Sequence, residues 1–379
     1  MAEAEGVDLT VVGPEAYLDL GIVDAFRARG LRIVGPTRGA AQIESSKAFA
    51  KELMAKAGVP TARFAVCESP AAALRAVRRF GAPVVVKADG LAAGKGVTVA
   101  LTVSEAEEAI GRIMVERRFG EAGERVVVEE FLEGEEASIL AFVDGEDARQ
   151  MPAAQDHKRA GAGDTGPNTG GMGAYSPAPV VTEEVAARVQ REILEPTVRA
   201  MAAESRPYQG ILYAGLMITP SGPMVVEFNC RFGDPETQAV LALLESPLAT
   251  LLHATATGKL AEQPPLQWAP GAAVTVVLAA EGYPGRPRVD DVITGADAPG
   301  VLHAGTRRAE DGSVRSSGGR VLSVVGTGED LEAARTNAYQ LLRSVHLPGG
   351  HHRTDIALAA ARGEVTVPGG DQAQAAANG

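Results

Sequence analysis

Cysteine is nearly absent: Cys67 and Cys230 are the only two among 379 residues. That argues against a disulfide framework or a cysteine-built zinc site, and a reducing, cytoplasmic setting is expected. Long apolar runs are missing too, so no segment reads as a bilayer span. Basic residues are outnumbered: 36 Lys and Arg against 48 Asp and Glu leave a net charge of −12. This removes the broad positive footprint of a nucleic-acid binder or a basic membrane-surface protein. The first residues, Met-Ala-Glu-Ala-Glu-Gly-Val-Asp, are acidic and match neither a secretory signal nor a transit peptide. There are no internal repeats and no G-x-S-x-G nucleophile elbow, and the histidines show no metal-ligand spacing.

What is present is an ordinary folded composition, 45% apolar and 22% charged. The length suggests two or three domains. The 44 glycines gather in a few loops, where backbone can come close to a ligand. Asp8–Val12, a helix over 17–29 and Leu31–Val34 read as a parallel β-α-β unit. Alone it is too small to bury both faces of a sheet, so it docks on later segments of the chain or lacks strands upstream. Ser45 or Ser46 can cap a helix running to about Ala57, stopped by Gly58, and Ser69-Pro70 opens another. Val84–Lys87 and Val97–Leu101 read as a hairpin with a long tip, and Ser104 with Glu107 as a capping box.

Strands are expected over 126–130 and 137–143, and 155–179 reads as one long ordered loop. A helix over 182–203 bends at Pro196. Strands 213–219 and 224–228 come next, around a Pro-Ser-Gly-Pro turn, then helices from about Pro235 and Pro247. After a linker at 262–265 comes a separate α+β unit with strands 274–280 and 321–325, a helix over 330–343, and otherwise turns. The expected division is 1–43, 44–261 with a smaller subdomain at 59–130, 266–366, and a disordered tail at 367–379.

Several segments carry chemistry. Lys87-Ala-Asp-Gly90-Leu-Ala-Ala-Gly94-Lys95-Gly96 places glycines and lysines between two strands, where bare N–H groups and ammonium charge suit phosphate. It is not a Walker A loop, and an exposed hairpin tip is the competing reading. Gly161-Ala-Gly163-Asp-Thr-Gly166 spells a dinucleotide pattern but lacks its strand and helix. Glu129-Glu130-Phe-Leu132 and Glu135-Glu136 can accept ribose hydroxyls or pair with a base edge; a charged strand end facing water is the plainer alternative.

In Val225-Val226-Glu227-Phe228-Asn229, strand alternation puts Glu227 and Asn229 on one face, with Val226 and Phe228 toward the core. Two hard oxygen donors suit Mg²⁺ or Mn²⁺ carrying phosphates. Arg231 and Asp234 stand just beyond, in a turn that can grip a carboxylate or phosphate or cap the next helix. Asp156, His157 and Lys158, with Asp164, Asn168 and Thr169, can line a polar pocket.

Together with Gly13-Pro14-Glu15 and Ser46–Lys51, these motifs make the chain resemble the phosphoribosylamine–glycine ligases of the ATP-grasp superfamily, over about 6–363. The resemblance implies an α/β and α+β multidomain ATP-grasp fold with a remnant Rossmann-like N-terminal domain. It implies three substrates, ATP, glycine and 5-phosphoribosylamine, no nucleic-acid or membrane partner, and a monomer. Lys47 and Lys87 would contact phosphates, and Gly90, Gly94, Lys95 and Gly96 would fold over them. Glu129 and Leu132 would meet adenine through their backbone, and Glu136 or Glu135 would meet ribose. Glu227 and Asn229 would hold Mg²⁺ or Mn²⁺. Gly13, Pro14, Glu15, Arg231, Asp234, Asp156, His157, Lys158, Asp164, Asn168 and Thr169 would face the other two substrates, with Arg231, Lys87 and Asp234 catalytic.

Two features depart from the pattern. The strand Tyr213–Ile218 carries no acidic metal ligand, and the usual G-x-G-G-R-E-H loop is missing near the start. The second leads to the expectation of an N-terminal truncation that leaves ATP binding but impairs ligation. Another ATP-grasp carboxylate–amine ligase and a non-catalytic nucleotide-binding remnant are the alternative readings.

Overall fold

The computed structural model describes residues 2–92 and 96–366. Gly94, Lys95 and the 367–379 tail lie outside the described residues.

The chain opens with β1 (Thr10–Val11), α1 (Glu15–Asp19), α2 (Ile22–Arg27) and β2 (Ile33–Val34). β1 and β2 pair in parallel, as expected, but are two residues long each. The expected single helix is split because Gly21 takes a left-handed conformation, φ 82°. The unit docks on the rest of the chain. Val12, Leu18, Val23 and Ile33 enter a core shared with later helices and strands.

Helices α3 (Arg38–Ser45) and α4 (Lys47–Ala57) meet at Ser46. Ser46 Oγ caps α4 by accepting the Phe49 N–H at 3.1 Å, and Gly58 ends it in the left-handed region. Next come β3 (Phe64–Cys67), α5 (Pro70–Phe80), β4 (Val84–Ala88), β5 (Val97–Ala100), α6 (Val103–Ile110) and β6 (Val126–Glu130). Their antiparallel sheet, ordered β3-β6-β4-β5, has its own core of Val77, Val84, Val86, Ile110, Val126 and Val128. The capping pair of α6 is Thr102 and Glu105, not Ser104 and Glu107. Thr102 Oγ1 accepts the Glu105 N–H, and Glu105 accepts the Leu101 N–H. Both pairs have the right spacing, and the end of β5 at Ala100 selects the earlier one.

The central sheet starts with β7 (Glu135–Asp144) and β8 (Ala148–Gln150). The expected loop over 155–179 is instead largely strand: β9 (Gln155–Asp156), β10 (Arg159–Gly161), β11 (Thr165–Asn168) and β12 (Gly173–Ser176). The rejected dinucleotide pattern forms the β10–β11 ribbon. These strands pair through backbone and carry no apolar alternation, which hid them. A Cβ on Gly173 would lie 2.6 Å from the Thr275 carbonyl oxygen.

The next helix is interrupted. α7 (Glu183–Arg188) and α8 (Glu195–Ala203) flank a π-helical turn, Val189–Leu194, just ahead of Pro196, whose missing N–H cannot continue the α ladder. β13 (Gln209–Thr219) and β14 (Gly222–Asn229) then complete the sheet, in the order β14-β13-β7-β8. α9 (Glu236–Leu241) and α10 (Leu248–Thr257) close this part of the chain.

The C-terminal part contains β15 (Ala272–Ala279), four short strands β16 (Val292–Ile293), β17 (Val301–His303), β18 (Thr306–Arg308) and β19 (Val314–Ser316), the long β20 (Arg320–Gly328), α11 (Leu331–Leu342) and α12 (Leu358–Ala361). It is richer in strand than the turns expected there. Its main sheet runs β17-β20-β15-β12-β9, so two strands from 155–176 are built into it. That sharing ties the C-terminal unit to the candidate site. No helix among the described residues is long and apolar enough to cross a membrane.

Candidate active site

The site is organised by a bulge in β14. Gly215 pairs with Glu227 and Leu216 with Val225, which leaves Val226 as an extra residue. Val225 and Phe228 are therefore the buried pair, and the expected inward position of Val226 is corrected. Glu227 and Asn229 lie half-buried on β14, opposite Gly215 and Tyr213. The bulged Val226 carbonyl accepts the Lys87 ammonium at 3.1 Å.

Lys87 reaches this point from β4 and also lies 3.0 Å from Glu129 of β6. The second Glu129 oxygen takes Lys51 of α4 at 2.7 Å. The Glu129 carboxylate is thus spent on two lysines, and its backbone sits in the ladder opposite Phe64 and Val85. Open backbone begins only past Glu130, where Leu132 lies. Lys47, one turn before Lys51, points its ammonium at the Gly90 carbonyl, 3.5 Å away. Burial lowers its pKa, and the charge of Glu227 works against that shift. Its neighbour Asp89 accepts the Ala48 N–H at 2.7 Å and pairs with Arg125, joining the β4 end to the α4 N-terminus. Gly90 and Gly96 have packing reasons to be glycine: a Cβ would meet Ala122 and Ala92, respectively, at 2.7 Å.

A second group lies around Arg231. Its Nε donates to Glu15 Oε2 at 3.0 Å, so the Gly13-Pro14-Glu15 turn and the Arg231 turn do converge. Glu44 of α3, not singled out from sequence, accepts the Cys230 N–H at 2.6 Å. Burial pushes its pKa up to about 7, although that hydrogen bond and Arg231 favour the charged form.

The polar 156–158 segment splits by strand alternation. Lys158 pairs with Glu136, and burial, with Glu236 and Glu136 nearby, raises the Asp156 pKa despite the opposing charge of Lys158. His157 turns toward the C-terminal unit instead, where its Nε2 accepts the Ala357 N–H at 3.2 Å. Glu135, close to Glu136 and Asp164, has a raised pKa, chiefly from burial. Asp164 pairs with the buried Arg353 at 2.7 Å. Thr169 Oγ1 donates to the Lys158 carbonyl at 2.9 Å, while Asn168 is exposed on β11.

Asp234 is held from outside the central sheet. Arg320 of β20 donates to its Oδ2 at 2.9 Å and to its carbonyl at 2.8 Å. Glu236 is buried and accepts the Tyr213 hydroxyl at 2.8 Å, and Tyr213 and Ser138 share a hydrogen bond. Sequence reading missed Lys51 and Tyr213. The i, i+4 spacing of Lys47 and Lys51 was the available signal for the first.

Comparison with known proteins decides the family. Residues 1–44, 45–237 and 273–359 match the N, ATP-grasp (A) and C domains of phosphoribosylglycinamide synthetase. The chain belongs to the phosphoribosylglycinamide synthetase family. A phosphoribosylamine–glycine ligase of Mycobacterium bovis is 54% identical over 372 residues, covering 97% of this chain and 87% of that protein. One from Xanthomonas axonopodis pv. citri is 55% identical over 361 residues, covering 94% and 84%. The crystal structure of phosphoribosylamine–glycine ligase from Thermotoga maritima superposes with TM-score 0.78 at 37% identity, covering 86% of this chain and 82% of that one. A biotin carboxylase–β-γ-ATP complex from Campylobacter jejuni, 16% identical, has TM-score 0.75 and covers 91% and 76%, which shows the shared ATP-grasp fold alone.

In phosphoribosylglycinamide synthetase terms, the site draws on all three matched segments. Glu15 and Glu44 come from the N match, the lysines, Glu227, Asn229, Arg231 and Asp234 from the A match, and Arg320 and Arg353 from the C match.

Proposed function

We propose that the chain joins glycine to 5-phosphoribosylamine with ATP, giving glycinamide ribonucleotide, ADP and phosphate, an early step toward purines. Family membership supports this reading, and one contact carries it to the residues: the Lys87 ammonium lies 3.1 Å from the carbonyl of Val226, next to Glu227. Cationic groups and hard oxygen donors therefore meet at one bulge, as transfer of a phosphoryl group requires.

Glycine would be phosphorylated on its carboxylate, and the amine of phosphoribosylamine would displace phosphate from glycyl phosphate. No protein nucleophile is needed. Catalysis is positioning plus neutralisation of charge on the moving phosphoryl group. Lys47 and Lys87 serve the phosphates, and Arg231, fixed by Glu15, serves a substrate carboxylate or phosphate. Asp156, paired in the sheet with Ala174, would face glycine or phosphoribosylamine. The 59–130 segment, with its own core, acts as the part that closes over ATP.

Glu227 and Asn229 fit Mg²⁺ or Mn²⁺ by the hardness of their oxygens and their place on β14. Among the described residues there is no cluster of three or more His, Cys, Asp or Glu that could hold a metal ion. When bound, the ion neutralises phosphate charge and orients the triphosphate.

Glu227→Ala and Asn229→Ala test the reading by Mg²⁺-dependent ATP binding and by ribonucleotide formation from all three substrates. Both variants should lose metal-dependent affinity and turnover. If both are unchanged, the assignment fails.

A further inference from the structure

Three ionisable groups of the site are almost completely enclosed: Lys51 is 2% exposed, Lys87 3% and Glu129 3%. They form one chain. Glu129 takes Lys51 at 2.7 Å through one oxygen and Lys87 at 3.0 Å through the other. Lys51 also donates to Thr61 Oγ1 at 2.7 Å, and Thr61 donates to the Val225 carbonyl at 2.6 Å. Lys87 donates to the next carbonyl, Val226. Both ammonium groups are thus anchored to successive residues of the β14 bulge, with one carboxylate between them.

Two positive charges and one negative leave a buried excess of one. A buried charge without compensation is costly, so the arrangement favours an anion that supplies the balance. Lys51 is committed to Glu129 and to Thr61, which in turn donates to the Val225 carbonyl. Lys87 lies at the side facing Val226 and Glu227. Without Lys51, Glu129 and Lys87 would form a neutral pair, and the attraction for an anion would fall.

We infer that Lys51 is a positioning residue for nucleotide phosphates: by occupying Glu129 it leaves the charge of Lys87 available to the triphosphate. This rests on Lys87 being a phosphate contact. Lys51 acts here through charge balance and needs no contact with ATP.

The test uses the full chain with Mg²⁺ and measures the affinities of ATP, ADP and adenosine by calorimetry. Lys51→Met should weaken ATP and ADP about tenfold and leave adenosine unchanged. Lys51→Met/Glu129→Gln restores the net charge and should bring ATP back to within about threefold of the parent. Lys87→Met is the separate control and should weaken ATP at least as much as Lys51→Met. ATP affinity unaltered in Lys51→Met, or a double variant as weak as that single one, overturns the inference. Unaltered affinity in Lys87→Met overturns the reading of Lys87 itself. Should Lys51→Met fail to fold, the double variant decides: parent-like ATP affinity supports the inference and a tenfold loss overturns it.

Discussion

Glu15 and Arg231 lie 216 residues apart in sequence and meet at 3.0 Å through Oε2 and Nε. The contact links the start of α1 to the turn after β14, and both partners are partly shielded from water. Glu15→Gln removes the charge that aims Arg231 and keeps its shape. A charge-assisted hydrogen bond of this kind contributes about 1.5–3 kcal/mol. The expected result is a fall in kcat/KM for glycine or phosphoribosylamine of about tenfold to a hundredfold, with the ATP KM little changed. Steady-state kinetics with each substrate varied in turn checks this, and an effect confined to ATP would contradict it.

Arg320 offers a second prediction, because it reaches the site from the C-terminal unit. Its guanidinium holds the Asp234 carboxylate at 2.9 Å, the Asp234 carbonyl at 2.8 Å and the Gly170 carbonyl at 2.7 Å. Several acceptors around one planar fork suit arginine and not a point ammonium. Arg320→Lys should therefore fall short of rescue, and both Arg320→Lys and Arg320→Ala should lower kcat by about tenfold or more while ATP binding persists. Paired measurements of kcat and ATP affinity decide it. A fully active lysine variant would show that charge alone suffices.

The sequence made local structure legible and left long-range contacts hidden. Ser46 and Gly58 marked the ends of α4, and Ser69-Pro70 the start of α5, because caps act within one turn. The bulge at Val226 was invisible, since an inserted residue looks like any other in an apolar run. The strands in 155–176 were missed because glycine-rich backbone supplies their pairing. Lys87, Glu227, Asn229 and Arg231 could be singled out from sequence by residue type and position. Long-range pairings could not: Glu15 meets Arg231 and Arg320 meets Asp234 across stretches that no local spacing connects.

Gly210 marks where the N-terminal unit seats on the central sheet. Its φ is 141°, and a Cβ there would lie 2.9 Å from the Gly35 Cα. Side chains rarely adopt that backbone, and the facing atom is main chain that cannot swing aside. Gly210→Ala should cost about 2–4 kcal/mol from strain and overpacking. Urea unfolding reads the loss, and hydrogen exchange should show it concentrated in β1, β2 and their helices. A variant as stable as the parent would mean the two segments separate without cost.

His157 sets the last expectation, a difference in acid stability. Its Nε2 accepts the Ala357 N–H, so the ring must be unprotonated there. Burial, reinforced by the charge of Arg353, lowers its pKa to about 4, with Asp355 and Asp164 opposing the shift. Between the ordinary value of 6.5 and about 4, the unfolded chain holds a proton that the folded chain does not. Stability contributed by this group is therefore complete above pH 6.5 and falls as the pH drops toward 4. Glu44 has the opposite sign: its pKa is raised to about 7, so the folded state holds the extra proton and gains as the pH falls. The whole-protein profile mixes both, and a variant isolates one. His157→Gln keeps a side-chain oxygen able to accept the Ala357 N–H and removes the titration. Its unfolding free energy relative to the parent should improve below pH 6.5, by at most about 1.4 kcal/mol per pH unit. Urea titrations at several pH values from 7 down to 5 measure that difference directly, and a flat difference over the range would contradict the His157 assignment.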